Sequence, residues 1–263
     1  MTNIGIFDSG LGGIAVLNEL SKKNKANYFY LGDNLRVPYG NRSKAEITSF
    51  ATDIVTFLEK FDIDYYIIAC NTISVTCKDF LTSKFNKDFT AITDMAINAA
   101  MDYDGDFLAL ATKATIDSHF YKKTLEAKKN TRVFESRAID LVNLIEAGVV
   151  DGDVLDRTLD EYLSIANERK IENIILACTH YPIIKGKIKE RLHYDANIID
   201  PALYLSDNLS TKDRENRVNI FMTKDSEETR DLIEKIMEVD YKLNFIENLW
   251  YDLCYYGYRF KYC

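Results

Sequence analysis

Two segments of the chain share one pattern, an apolar run that ends in a cysteine and is followed by small polar residues. The first is Ile67-Ile-Ala-Cys70-Asn-Thr72, and the second is Ile174-Ile-Leu-Ala-Cys178-Thr-His-Tyr-Pro182. Each apolar run has the length and β-branched composition of a buried parallel strand, and the polar residues after it can begin a helix. Ligands of open α/β sheets bind at the carboxyl ends of the strands. The pattern therefore predicts two related halves that each bring one cysteine to a ligand site.

The same alternation of strand and helix patterns continues along the chain, with a further pair of similar runs at 4–9 and 107–112. We expect an α/β protein with two similar doubly wound domains, mainly parallel sheets, a pseudo-twofold relationship and the active site in the cleft between them. The first domain is predicted to be discontinuous, with residues 1–93 and 203–263. Residues 94–202 form the predicted second domain.

Composition and charge exclude several classes of protein. The net charge is −8 and the basic residues are dispersed, so a nucleic-acid partner is not expected. The amino terminus lacks the pattern of a secretion signal, and no apolar run is long enough to span a membrane. We therefore expect no membrane partner and a cytoplasmic location. The five cysteines form no compact disulfide framework and are expected to be reduced, as a thiol catalyst requires.

Several polar segments have both a structural and a functional interpretation. The loop from Asp8 to Gly13 is either a tight turn or a site for a carboxylate or phosphate at a helix N-terminus. The loop around Tyr39 is either a binding loop or a surface loop whose tyrosine packs on its own helix. Glu146, near the end of a helix predicted over 138–147, is expected to be solvated when it is considered alone. Cys178 and His180 could be half of a zinc site, but no second pair at ligand spacing exists, so no metal is expected.

Two thiols on opposite sides of one ligand suit the inversion of a stereocentre that carries an acidic C–H. One group removes the proton from one face while the other delivers a proton to the opposite face. A helix N-terminus can lower the pKa of a cysteine toward neutrality, and both cysteines precede predicted helices. Ser9, Asn71, Thr72 and Thr179 would supply neutral hydrogen-bond donors around the substrate.

Four motifs together resemble those of a known enzyme family. They are Asp8-Ser-Gly-Leu-Gly-Gly13, Pro38-Tyr-Gly40, Ala69-Cys-Asn-Thr72 and Cys178-Thr-His-Tyr-Pro182. In this order they are similar to those of glutamate racemase, in the cofactor-independent aspartate/glutamate racemase superfamily. The resemblance implies interconversion of L- and D-glutamate without pyridoxal phosphate or a metal, and supply of D-glutamate for peptidoglycan.

The resemblance also assigns roles to residues. It implies that Cys70 acts on D-glutamate and Cys178 on L-glutamate, that Asp8 assists the first thiol and His180 the second, and that Glu146 is a further member of the site. The positions that match substrate contacts in the family are Asp8, Ser9, Tyr39, Gly40, Asn71, Thr72, Thr112, Thr179 and His180.

The chain departs from the family pattern at three places. Ile73 stands where the family has a small residue, and Thr93-Asp-Met-Ala96 replaces its usual Pro-Gly step. The aromatic segment 250–263 extends beyond the usual end of the family and is expected to pack against the body or to form a subunit interface in a homodimer.

Three other functions remain open from the sequence. The two-thiol chemistry could act on aspartate or another acidic amino acid. Cys178 and His180 could instead serve a hydrolase, which would have no use for Cys70. A noncatalytic binding protein with the same fold would bind the ligand without exchanging its α-proton.

Overall fold

The protein, for which we use a computed structural model, is described over residues 1–246 and residue 249. The segment 250–263, with its aromatic residues, Cys254 and Cys263, lies outside the described residues. No helix in the described part is both long enough and apolar enough to cross a membrane.

The described strands form two sheets in which every pairing is parallel. The first sheet has six strands in the order β10-β9-β2-β1-β3-β4, and the second has four in the order β6-β5-β7-β8. The strands are β1 Asn3–Asp8, β2 Asn27–Gly32, β3 Tyr65–Ile68, β4 Phe89–Ala91, β5 Phe107–Ala111, β6 Val133–Arg137, β7 Asn173–Ala177, β8 Asn197–Ile199, β9 Arg217–Met222 and β10 Lys242–Phe245. The central strands β1, β3, β5 and β7 are almost continuously apolar because both faces of each sheet are covered.

Helices cover both faces of each sheet. They are α1 Gly13–Lys23, α2 Lys44–Leu58, α3 Asn71–Phe85, α4 Ile92–Ala100, α5 Lys113–Ser118, α6 Phe120–Lys128, α7 Leu141–Glu146, α8 Asp153–Arg169, α9 Lys185–Arg191, α10 Pro201–Asn208 and α11 Glu227–Ile236. Each face has its own apolar core, so there are two cores for each sheet. The predicted fold class, two doubly wound α/β units with parallel sheets, is confirmed.

Strands β9 and β10 extend the first sheet beyond β2, so the carboxyl-terminal part of the described chain lies with the amino-terminal half. Two helices lie between the halves. In α4, Ile92 packs in a core of the first half and Ala96 in a core of the second. In α10, Leu205 belongs to the first half while Tyr204 packs against the second. The domain boundaries after residues 93 and 202 stay a prediction.

Local signals explain where several helices begin and end. The predicted capping box before α2 is confirmed, since Ser43 and Glu46 bond each other's backbone N–H groups. Helix α7 is shorter than predicted and begins at Leu141, after a bend that follows β6. Gly148 follows its end with a φ of 77°, which favours glycine, and its N–H bonds the carbonyl of Ile145.

Candidate active site

The two cysteines lie at the carboxyl ends of corresponding central strands, β3 and β7, and face one cavity between the halves. Each thiol-bearing residue is only 5% exposed. The residues that line the cavity are Ser9, Pro38, Tyr39, Gly40, Cys70, Asn71, Thr72, Thr112, Val142, Cys178, Thr179 and His180. The structure therefore brings most of the residues indicated by the sequence to one place. Asp8 and Glu146 lie just behind this lining and bond to it.

The cavity is small, about 10 Å³, close to the space that one buried water requires. An amino acid with two carboxylates is several times larger. Its entry therefore requires the residues on the two sides of the cavity to move apart.

Cys70 is the N-cap residue of α3, where the predicted helix N-terminus does exist. Burial raises the pKa of its thiol well above the ordinary value, and the negative charge of Asp8 raises it further. Hydrogen bonds with Ser9 and the backbone N–H of Ile73 act in the opposite direction. The Cys70 Sγ lies 3.4 Å from the Ser9 Oγ. The first turn of α3 therefore favours the thiolate that burial disfavours.

Cys178 has a different environment, which corrects the expectation that both cysteines precede α-helices. It is followed by the short 3₁₀ helix Tyr181–Ile184 rather than by an α-helix. Its Sγ lies 3.7 Å from His180 Nδ1, and His180 Nε2 lies 2.6 Å from Glu146 Oε1. Beside Cys178 the structure thus has the imidazole of His180, and not the N-terminus of an α-helix that the sequence indicated.

Burial alone would lower the pKa of His180, since its ring is 2% exposed. Hydrogen bonds with Cys178 and Glu146, together with their negative charges, outweigh burial and raise that pKa well above its ordinary value. The imidazole of His180 is therefore held in its charged form, with its Nδ1 3.7 Å from the Cys178 Sγ.

Asp8 connects the two halves at the end of β1. Its Oδ2 accepts a hydrogen bond from Thr179 Oγ1 at 2.9 Å, and its Oδ1 accepts one from the Gly10 N–H at 2.8 Å. Because the carboxyl group is fully buried, its pKa is raised, although the charge of His180 and these hydrogen bonds act against that rise.

The glycine loop after β1 does bind a carboxylate, and that carboxylate belongs to the protein. The Leu11 N–H donates to Glu146 Oε1 at 3.0 Å. A Cβ at Gly10 would lie 2.5 Å from that oxygen, and one at Gly12 would lie 2.6 Å from His180 Nδ1. The glycines therefore allow the loop to approach the second half closely. Glu146, expected to be solvated when considered alone, is partly buried with 14% of its side chain exposed.

The tyrosine of the loop around Tyr39 packs on its own helix, as one of the two interpretations predicts, while the role of the loop in binding stays a prediction. Tyr39 is 1% exposed, and its ring packs 5.4 Å from the ring of Phe50 in α2 while it also lines the cavity. Next to it, a Cβ on Gly40 would lie 2.9 Å from the Cβ of Thr112. The loop is thus packed on its own helix and in contact with the other half.

Sequence reasoning missed the residues that hold this loop. Asp33, 1% exposed, accepts hydrogen bonds from the Tyr39 hydroxyl, from Arg36 and, at 2.9 Å, from Thr223 after β9. Arg36 also reaches Asp53 at 3.2 Å. The signal available in the sequence was an Asp and an Arg three residues apart in the polar loop that contains Tyr39.

The other predicted contact residues meet across the cleft. Thr72 Oγ1 and Thr112 Oγ1 are 3.0 Å apart, and they belong to different halves. Ile73, the departure from the family pattern, is fully buried in a core of the first half and does not line the cavity. Its size therefore does not narrow the site directly.

The remaining sequence expectations concern cysteines and metals. Cys70, Cys77 and Cys178 are free thiols. Within residues 1–246 and 249, no three His, Cys, Asp or Glu side chains are grouped so as to hold a metal ion.

Comparisons with known proteins match this geometry. The family model described as Asp/Glu/Hydantoin racemase matches residues 8–205. A glutamate racemase of Persephonella marina is 33% identical, with 93% of this chain and 97% of the relative covered. The crystal structure of glutamate racemase from Francisella tularensis in complex with D-glutamate is 30% identical with a TM-score of 0.84, covering 94% of this chain and 98% of that one.

The glutamate racemase of Aquifex pyrophilus has a similar structure, with a TM-score of 0.78, 31% identity and coverage of 94% of this chain and 100% of that one. The region matched by the family model, residues 8–205, contains all four motifs. The chain belongs to the Asp/Glu/Hydantoin racemase family, among the glutamate racemases.

Proposed function

We propose that this protein interconverts L- and D-glutamate by moving the α-proton between two cysteine thiols, and that it supplies D-glutamate for peptidoglycan synthesis. Membership of the family supports the reaction and the substrate. One structural observation carries the mechanism: Cys70 and Cys178, from corresponding strands of the two halves, line the same buried cavity. Neither pyridoxal phosphate nor a metal takes part in the proposed reaction.

The proton inventory of the reaction balances with two thiols alone. With D-glutamate bound, the Cys70 thiolate removes the α-proton and becomes a thiol, which leaves a carbanion. The Cys178 thiol then donates its proton to the opposite face, which gives L-glutamate and a Cys178 thiolate. The reverse reaction uses the same groups with exchanged roles.

The electrostatics support a resting state with one thiol and one thiolate. A negative charge on Cys178 raises the pKa of Cys70, so ionisation of one thiol opposes ionisation of the other. One thiol and one thiolate is the starting state that proton transfer between two faces requires.

The surrounding residues have distinct proposed roles. Asp8 assists Cys70, and its negative charge raises the pKa of the Cys70 thiol. His180, together with Glu146, assists Cys178. Polar groups on the wall would bind the two carboxylates and stabilise the carbanion. The proposed substrate contacts are Asp8, Ser9, Tyr39, Gly40, Asn71, Thr72, Thr112, Thr179 and His180.

Proton NMR in D₂O tests the mechanism, with each glutamate enantiomer supplied separately. The wild type should wash out the α-proton of both and form the other enantiomer. Cys70→Ala and Cys178→Ala should each lose about 10²- to 10⁴-fold or more in racemisation. Cys178→Ala should retain exchange only on D-glutamate and Cys70→Ala only on L-glutamate.

Cys77→Ala is the matched control, because Cys77 is also a buried free thiol but lies in a core and outside the cavity. It should racemise like the wild type. If the two cavity variants keep wild-type turnover, the two-thiol mechanism is wrong.

The hydrolase alternative has one supporting observation, the line of contacts from Cys178 through His180 to Glu146. A thiol, an imidazole and a carboxylate in that order also activate a nucleophile. Cys70→Ser separates the two functions, since a hydrolase would keep full activity. Exchange of the α-proton of aspartate but not of glutamate would keep the mechanism and change the substrate.

Location and assembly belong to the same proposal. A cytoplasmic location suits thiols that must stay reduced. A homodimer is proposed because aromatic residues such as those of segment 250–263 are enriched in subunit interfaces. Sedimentation of the full chain and of a chain that ends at residue 249 tests the role of that segment in assembly.

A further inference from the structure

A tyrosine outside the cavity wall contacts a residue of that wall across the two halves. Tyr121, in α6 of the second half, donates its hydroxyl hydrogen bond to Oδ1 of Asn71, the first residue of α3 in the first half. Tyr121 is 1% exposed and Asn71 is 2% exposed. The ring of Tyr121 packs in the core beside the second sheet, so its position is fixed by that half.

The other side of the Asn71 amide is unpaired. Its Nδ2 is buried and has no hydrogen-bond partner among the residues that the structure describes, while Asn71 lines the cavity between the thiols. Buried amide donors are almost always paired, so an unpaired one in a ligand cavity indicates a group that the ligand satisfies. An amide N–H pair suits a carboxylate oxygen.

From these contacts we infer that Tyr121 is a positioning residue that holds the Asn71 amide with its N–H₂ group toward a substrate carboxylate. The inference rests on the proposed function for the identity of the ligand. The hydroxyl donates to the carbonyl oxygen of the amide and thereby keeps that oxygen away from the cavity. Without this bond the amide can rotate and direct its oxygen toward the substrate carboxylate, and the two oxygens repel each other.

The tyrosine is a permanent donor. Burial raises the pKa of Tyr121 well above its ordinary value, so its hydroxyl keeps the proton throughout the working pH range. The hydrogen bond also exists only when the two halves are in contact. The orientation of the Asn71 amide is therefore set by closure of the cleft, beside the Thr72 to Thr112 contact that crosses it.

The first experiment compares Tyr121→Phe with Tyr28→Phe in racemisation of both enantiomers. Tyr28 is the matched control because it is fully buried and its hydroxyl bonds the Asn24 carbonyl at 2.9 Å, within the first half and away from the cavity. Tyr121→Phe should raise KM about tenfold with a much smaller change in kcat, since the amide binds substrate and transition state alike. Tyr28→Phe should leave KM unchanged.

A double-mutant cycle with Asn71→Ala separates positioning from a general structural effect. Once the amide is absent, Tyr121→Phe should change KM less than about twofold. An equal rise in KM in both backgrounds would show that the hydroxyl acts on the fold rather than through Asn71. A wild-type KM in Tyr121→Phe would also overturn the inference.

The wild-type assay decides the proposed function independently. If the wild type does not racemise glutamate, that function fails, and the same cycle is then measured by calorimetric titration with D-glutamate. The positioning role is supported if Tyr121→Phe weakens binding of D-glutamate about tenfold, and if the same substitution has no such effect in the Asn71→Ala background. Equal affinity, or no binding by the wild type, overturns it.

Discussion

The backbone N–H of Leu11 donates to the Glu146 carboxylate at 3.0 Å, which joins the glycine loop of the first half to the end of α7 in the second. The same carboxylate oxygen contacts His180 at 2.6 Å. One oxygen thus serves both the contact between the halves and the histidine beside Cys178. Changes in the glycine loop should therefore affect the chemistry of a residue in the other half.

Gly12→Ala should impair both stability and activity. The added Cβ would lie 2.8 Å from the His180 backbone nitrogen, which cannot move cheaply, as well as 2.6 Å from the imidazole. We expect a loss of about 1 to 3 kcal/mol in the free energy of unfolding and at least about a tenfold fall in kcat/KM, because the loop and His180 are pushed apart. Urea unfolding and racemisation assays measure the two effects.

The control for this change is Gly186→Ala in α9. A Cβ at Gly186 would lie more than 4 Å from every other described residue that could obstruct it. It should leave activity unchanged and stabilise the protein by up to about 1 kcal/mol, since alanine favours a helix. Equal behaviour of the two variants would contradict a close approach at Gly12.

Glu146→Gln should lower the pKa of His180. The variant keeps a hydrogen-bonding side chain but removes the negative charge that helps raise that pKa above its ordinary value. In the pH profile of kcat/KM, the fall on the alkaline side that reports loss of the His180 proton should therefore move to lower pH. Because the two enantiomers have equal free energy, kcat/KM must fall by the same factor in both directions, while the two kcat values can differ.

NMR titration of the three histidines checks this directly. Glu135→Gln is the control, since Glu135 pairs with His119 at 2.7 Å on the surface. It should not alter the titration of His180. If the His180 titration is unchanged in Glu146→Gln, the Glu146 carboxylate does not raise the pKa of His180 as proposed.

The strands and their cysteines were predictable from the sequence because they depend on local patterns. The apolar runs before Cys70 and Cys178 are long enough for buried strands, and parallel strands place their carboxyl ends together. The parallel direction of the strands also follows from the alternation of strands and helices. These features need no knowledge of distant contacts.

The contacts of Glu146 and Tyr121 were not predictable in the same way. A glutamate at a helix end and a tyrosine at helical spacing have ordinary solvated or core interpretations, and both residues instead bond to partners far away in sequence. The 3₁₀ helix after Cys178 was also missed, because Pro182 is compatible with the first turn of either helix type. Packing between the halves decides such cases.

Asp33→Asn should destabilise the protein and weaken substrate binding. Asp33 is almost fully buried. Without its negative charge, Arg36, with 17% of its side chain exposed, keeps Asp53 as its one ion-pair partner among the described residues. Breaking a buried pair from one side costs about 3 to 5 kcal/mol, and the remaining partner places this case at the lower end. Tyr39 also loses its carboxylate acceptor, so KM should rise.

Asp225→Asn provides the surface comparison for this ion pair. Asp225 pairs with Arg230, but both side chains are about half exposed. Its loss should cost less than about 1 kcal/mol in urea unfolding and leave KM unchanged. A similar cost for the two variants would mean that the buried network does not hold the Tyr39 loop.

Asp8→Asn should stabilise the protein more at pH 7 than at pH 4, although it should abolish efficient racemisation. Burial raises the folded-state pKa of Asp8 above its ordinary value of 3.8. As pH rises above 3.8, Asp8 loses its proton in the unfolded chain but keeps it in the folded protein. The free energy of unfolding of the wild type therefore falls until the pH exceeds the raised pKa of the folded state. Asparagine has no such loss.

Asp106→Asn should show the opposite sign, because a hydrogen bond with Arg132 lowers the pKa of Asp106 and stabilises the wild type as pH rises. Urea unfolding of both variants and the wild type at the two pH values measures this. A stability difference for Asp8→Asn that does not grow with pH would contradict a raised pKa for the buried carboxyl group of Asp8.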